Sequence, residues 1–71
     1  MINKQKLKAA IIEHDGNQKN LADAMGISLS QLSLRINSHM EFSVREVAFI
    51  RNRYGLSDND VGDIFFADKV S

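Results

Sequence analysis

A chain of 71 residues, with nine lysines and arginines against nine aspartates and glutamates and 44% hydrophobic residues, has room for one small domain, 1–71. Folding buries only about 60% of the surface that so short a chain exposes when unfolded. The charge balance excludes a polycation that coats nucleic acid by charge alone, the absence of cysteine excludes disulfide staples and thiolate metal sites, and no stretch nears the ~20 apolar residues of a membrane span.

Lys4 and Lys6 near the N-terminus are followed by no apolar h-region, so no secretory signal is read and a cytoplasmic location is expected. His14 and His39 stand apart and read as helix-end or loop histidines, giving no ligand pair; neither a metal nor a cofactor is expected. Proline is absent, and no alternating pattern marks a strand.

The first predicted helix runs from Lys4 to about Asp15. Leu7, Ala10, Ile11 and His14 share its face, Asn3 is a candidate N-cap, and Gly16 stands just past its end. A second begins after Asn17, another good N-cap, passes Leu21, Ala22 and Met25, and stops at Gly26. A third follows Ser28, where Ser28-x-x-Gln31 spells a capping box. Ser43-x-x-Glu46 repeats the device for a fourth helix, in which Val44, Val47, Ile50 and Tyr54 make an apolar stripe ahead of Gly55. Ser57 caps a fifth, with Asp58 and Asp60 in its first turn, where negative charge suits the helix dipole, and Val61, Ile64 and Phe65 behind. Five caps in register with five apolar faces agree on one all-α fold.

Only Gly26-Ile27-Ser28 separates the second helix from the third. The glycine can take a positive φ, turning the chain sharply, while Ile27 drops toward the core; this spacing spells a helix-turn-helix whose second helix protrudes far enough to enter a major groove about 12 Å wide. At about 100° per residue from Leu29, Leu32 and Ile36 face the core and Leu29 sits at its edge. Ser30, Ser33, Leu34 and Asn37 form the outer surface, flanked by Gln31 and Arg35.

The stretch QKNLADAMGISLSQLSLRINSH, residues 18–39, resembles the helix-turn-helix of the lambda-repressor and Cro-like (XRE-type) family. The likeness lies in a Gln opening the second helix, Leu-Ala at its middle, Gly-Ile-Ser at the turn, and an Asn just after the third helix. The first helix, the fourth after Phe42-Ser43 and the closing Asp63-Ile64-Phe65-Phe66 look similar to small phage-encoded Cro-like regulators. The resemblance implies a five-helix lambda-repressor-like domain. It also implies that Gln18 touches phosphate and braces the recognition helix, that Leu29, Ser30, Ser33 and Leu34 lie at base-contacting positions, and that Asn37 and Ser38 make backbone contacts. The chain departs from the family pattern at Leu29, where a polar reader is common, and at Ser38-His39, where Asn-Gly is usual.

The DNA-facing candidates are therefore Asn17, Gln18, Lys19, Leu29, Ser30, Gln31, Ser33, Leu34, Arg35, Asn37, Ser38 and His39. Asn17, Gln18 and Lys19 suit a phosphate at a helix N-terminus, though capping and solvation explain them as well. Lys4, Lys6 and Lys8 read as a solvated helix face, and helix-dipole placement accounts for Arg51 and Arg53. Leu34 admits three readings: a solitary exposed leucine, a contact with a thymine methyl, or a contact with another protein. Phe65 and Phe66 cannot share one helix face, so one completes the core and the other is available to a partner.

Charge is uneven along the chain. Residues 1–39 carry a net +2 and residues 40–71 a net −2, with acid gathered at Asp58, Asp60, Asp63 and Asp68, so a polyanion is expected to meet the N-terminal half. The expected function is that of a Cro-like transcriptional regulator reading a double-stranded DNA operator as a homodimer. The alternative is an antirepressor that keeps the fold and docks on a repressor protein through Leu29, Leu34 and neighbouring small polar residues. With no nucleophile–base pair and no metal cluster in view, an enzyme is not expected.

Overall fold

The computed structural model describes residues 2–67; Asp68, counted above among the acidic residues, lies outside them. The five helices are α1 (Lys4–Asp15), α2 (Gln18–Met25), α3 (Leu29–Ile36), α4 (Val44–Tyr54) and α5 (Asp58–Phe65), and no strand occurs among the described residues.

Each helix begins where a side chain satisfies free backbone donors. The Asn3 and Asn17 carboxamides accept from the Lys6 and Asn20 amides. Ser28, Ser43 and Ser57 make full capping boxes with Gln31, Glu46 and Asp60. Each cap of this kind is worth about 1 kcal/mol, and in helices of 8 to 12 residues, too short to hold alone in water, caps and packing together decide where the chain is helical.

The core takes two or three residues from every helix: Leu7, Ala10 and Ile11, Leu21 and Ala22, Leu32 and Ile36, Ile50 and Tyr54, Ile64 and Phe65. Ile27 packs against this cluster from the turn, as the sequence predicts, and Phe42 meets Phe65 edge-on with ring centroids 5.4 Å apart. The open choice between neighbouring phenylalanines is thereby decided. Phe65 is buried, and Phe66 is 43% exposed.

One predicted core residue is not in the core. The sequence places Val44 on the apolar stripe of α4, but its side chain is 87% exposed. At 100° per residue Val44 lies about 80° around the helix from Tyr54 and about 120° from Ile50, and as the first residue of α4 it projects from the helix end; Val47, Ile50 and Tyr54 alone make the inward face.

Two long-range links close the fold around α1. At its start the Asn3 amide donates to the Ile64 carbonyl at 2.6 Å. At its end the Asp15 carboxylate, with only 4% of its side chain exposed, accepts from the Arg53 guanidinium at 2.6 Å and from the Tyr54 hydroxyl. His14 stacks on the Tyr54 ring at 4.6 Å, which gives this helix-end histidine a packing role. No helix among the described residues is long and apolar enough to cross a membrane.

Candidate functional site

The turn between α2 and α3 is set by one glycine. Gly26 has φ 74° and ψ 25°, the left-handed conformation that a Cβ disfavours, and the Ile27 amide then reaches back to the Ala22 carbonyl at 3.1 Å. The chain leaves α2, reverses within three residues and enters α3 through the Ser28–Gln31 capping box. Leu32 and Ile36 anchor α3 to the core. Its outer side is left uncovered: Leu29 is 48% exposed, Leu34 is 41% exposed, Ser30 is exposed and Ser33 half-buried. Ser30, Leu34 and Asn37 lie outward as helical spacing predicts, Ser33 is only partly exposed, its hydroxyl accepting from the Asn37 side chain, and Leu29 is further out than the edge position assigned to it.

The remaining candidates divide by what already holds them. Gln31 is engaged in the capping box, its side chain accepting from the Ser28 amide at 3.2 Å. Arg35 turns away from the outer face. Its Nε donates to Glu46 at 3.2 Å and a terminal nitrogen donates to the Gln31 carbonyl at 2.9 Å, with only 13% of the arginine and 21% of the glutamate side chain exposed. Burial pushes the Glu46 carboxyl up, but the Ser43 amide and Arg35 more than offset it and hold it below the usual carboxylate range. The pair joins the last turn of α3 to the cap of α4, so Arg35 fixes the helix that it was expected to help read with.

Asn17 is the cap of α2, and Lys19 pairs with Asp23 at 2.9 Å one turn along the same helix. Gln18 is half-buried at the helix start. Asn37 closes α3: its amide nitrogen donates to the Ser33 carbonyl and hydroxyl at 2.9 and 3.2 Å, while its oxygen accepts from Lys4 Nζ at 3.2 Å. That last bond spans 33 residues. It brings the N-terminal end of α1 to the exit of the exposed helix, a role for Lys4 that its place on a regular charged face gave no sign of.

Ser38 and His39, both exposed, form the turn that follows. The Ser38 amide donates to Arg35 and the His39 amide to Leu34, at 3.2 and 2.9 Å, which is the Schellman pairing. Glycine is the usual residue at the position Ser38 fills. Ser38 has φ 64°, and no other described residue except glycine has a positive φ. Residues held in this way concentrate at functional sites, and this one borders the exposed face of α3.

Cations without a carboxylate partner are few. Lys6, Lys19, Arg35, Arg51 and Arg53 all pair with acids, leaving Lys4, Lys8 and Arg45 among the described residues. No group of three or more His, Cys, Asp or Glu residues that could hold a metal occurs among the described residues. The arrangement is thus a small, exposed, mostly uncharged surface on α3, with Lys4, Asn37 and the Ser38-His39 turn at its C-terminal end.

Residues 2–68 match the profile of a family described as a protein of unknown function (DUF739). No curated protein and no solved structure matches the chain.

Proposed function

We propose that this chain, which belongs to the DUF739 family, is a sequence-specific DNA-binding transcriptional regulator of the Cro-like kind, with α2 and α3 as a helix-turn-helix and α3 reading an operator in the major groove. The observation that carries the reading is the exposed outer side of α3, which follows α2 through a left-handed glycine turn. An α-helix is about 10–12 Å across with its side chains, which a major groove about 12 Å wide admits. Ser30 and Ser33 hydroxyls can serve any base edge, and Leu34 offers apolar contact to a thymine methyl. In this reading Lys4 beside Asn37, and the α2 N-terminus at Gln18, take phosphates.

With so few uncommitted cations, phosphate neutralisation by one protomer is small, and useful affinity requires two linked half-sites. Binding to the DNA flanking its own coding region, followed by fluorescence anisotropy, tests the proposal. If a pair of protomers neutralises about four phosphates, raising salt from about 50 to about 200 mM weakens binding about a hundredfold.

A second reading is favoured by a specific observation: the exposed face of α3 pairs Leu29 and Leu34 with small polar groups, while Arg35, the one charged residue of α3, is held in a largely buried ion pair with Glu46. Such a charge-depleted surface suits the centre of a protein interface, as in an antirepressor docked on a repressor. No binding to any of that DNA, together with tight association with a helix-turn-helix repressor protein, decides for this second reading.

A further inference from the structure

A serine hydroxyl can donate its proton and accept through its oxygen, so left alone it serves base edges of either kind. Ser33 is not left alone. Its oxygen accepts from the Asn37 side-chain nitrogen at 3.2 Å, and that nitrogen also donates to the Ser33 carbonyl at 2.9 Å. The Asn37 side-chain oxygen in turn accepts from Lys4 Nζ at 3.2 Å.

Both ends of this chain of bonds fix its direction. A lysine ammonium only donates and a backbone carbonyl only accepts, so the carboxamide must turn its oxygen to Lys4 and its nitrogen to Ser33. The reverse setting would put NH2 against an ammonium and oxygen against a carbonyl oxygen. The Ser33 oxygen therefore commits one lone pair to Asn37 and keeps its proton. Hydrogen bonds in series polarise one another, and this series starts at a cation. Accepting from Asn37 thus makes the hydroxyl a stronger donor and its remaining lone pair a weaker acceptor. A base amino group approaching that lone pair would also meet the Asn37 NH2 beside it.

We infer that Asn37 is a positioning residue that makes Ser33 a selective reader. The base edge Ser33 takes is a hydrogen-bond acceptor, guanine O6 or N7, adenine N7 or thymine O4, in preference to the N4 amino group of cytosine. The inference rests on the DNA-reading proposal and adds which kind of edge Ser33 selects. Asn37, expected to touch only the DNA backbone, has its carboxamide occupied at both ends, and its effect on sequence passes through Ser33.

Selection from duplexes carrying about 20 randomised base pairs, room for two half-sites one helical turn apart, tests it by sequencing what the wild-type, Ser33→Ala, Asn37→Ala and Asn37→Asp chains retain. The wild type is expected to enrich a motif with one base per half-site at which cytosine is disfavoured about fivefold or more, the size of a single mismatch. Ser33→Ala loses that preference at that base alone. Asn37→Ala frees the hydroxyl to turn and brings cytosine within about twofold of the other bases there, since a free hydroxyl suits either edge. Asn37→Asp goes further: its carboxylate can only accept, so it takes the Ser33 proton, leaves the lone pairs to the base and moves the preference toward cytosine. A merely structural role for Asn37 would weaken every position of the motif alike. An enriched motif in which no base responds to Ser33→Ala, as when the hydroxyl donates to the carbonyl one turn back, overturns the inference and leaves the DNA-reading proposal standing. So does a preference that survives both Asn37 substitutions. A wild-type chain that enriches no motif overturns both.

Discussion

Removing the Asp15 charge by Asp15→Asn tests how the end of α1 is held against the end of α4. The carboxylate accepts from Arg53 and from the Tyr54 hydroxyl, and Tyr54 is 5% exposed, so water does not readily replace this acceptor. A hydrogen bond to a charged group contributes about 1.5–3 kcal/mol. Asparagine keeps one oxygen able to accept, and the solvent-open guanidinium side adds little, which leaves an expected loss of about 1–2 kcal/mol. For a domain of this size that lowers Tm by roughly 4–16 °C. Urea unfolding of Asp15→Asn, Tyr54→Phe and the double variant isolates the pair energy as the coupling in the cycle.

The pH dependence carries the sign. Arg53 beside Asp15 holds its carboxyl below the ordinary 3.8, against an upward push from burial and with further help from Tyr54. The unfolded chain therefore takes up the proton first as pH falls. The contribution of Asp15 is full above its unfolded value and lost as pH drops through the lower folded one. The stability gap between wild type and Asp15→Asn is thus constant from neutral pH to about pH 5 and closes below about pH 4. A gap unchanged down to about pH 2, or a coupling below about 0.3 kcal/mol, would refute the reasoning.

Three further outcomes are expected. Ser38→Gly relieves a left-handed serine at the Schellman position and stabilises the fold by about 0.5–1 kcal/mol in urea titration; a destabilised variant would show that the serine hydroxyl does something the backbone does not. Arg35→Met removes the strut to Glu46, so operator affinity drops several-fold while the slope of log affinity against log salt stays unchanged; a slope reduced by about 1 would place Arg35 on a phosphate instead. Leu34→Asp puts a charge on an exposed position of α3, leaving urea stability within about 0.5 kcal/mol of wild type and abolishing binding to the DNA or to the repressor; a fully active variant returns Leu34 to the status of a solitary surface leucine.

All five helices and their caps were readable from the chain because the interactions that set them are local. An N-cap acts over three residues, a capping box closes on itself, and apolar periodicity repeats within two turns. The outward set on α3 followed from the same spacing, given Leu32 and Ile36 as anchors. What needed the tertiary structure were contacts between residues far apart in the chain: Lys4 with Asn37, Arg35 with Glu46, Asp15 with Arg53 and Tyr54. Read alone, Lys4 was a solvated lysine, Arg35 a flank of the reading face, Arg53 a cation near a helix end, and Val44 part of a stripe. Periodicity says which residues of a helix share a face, but only the packing of one helix on another decides which face is inward and which charge finds a partner.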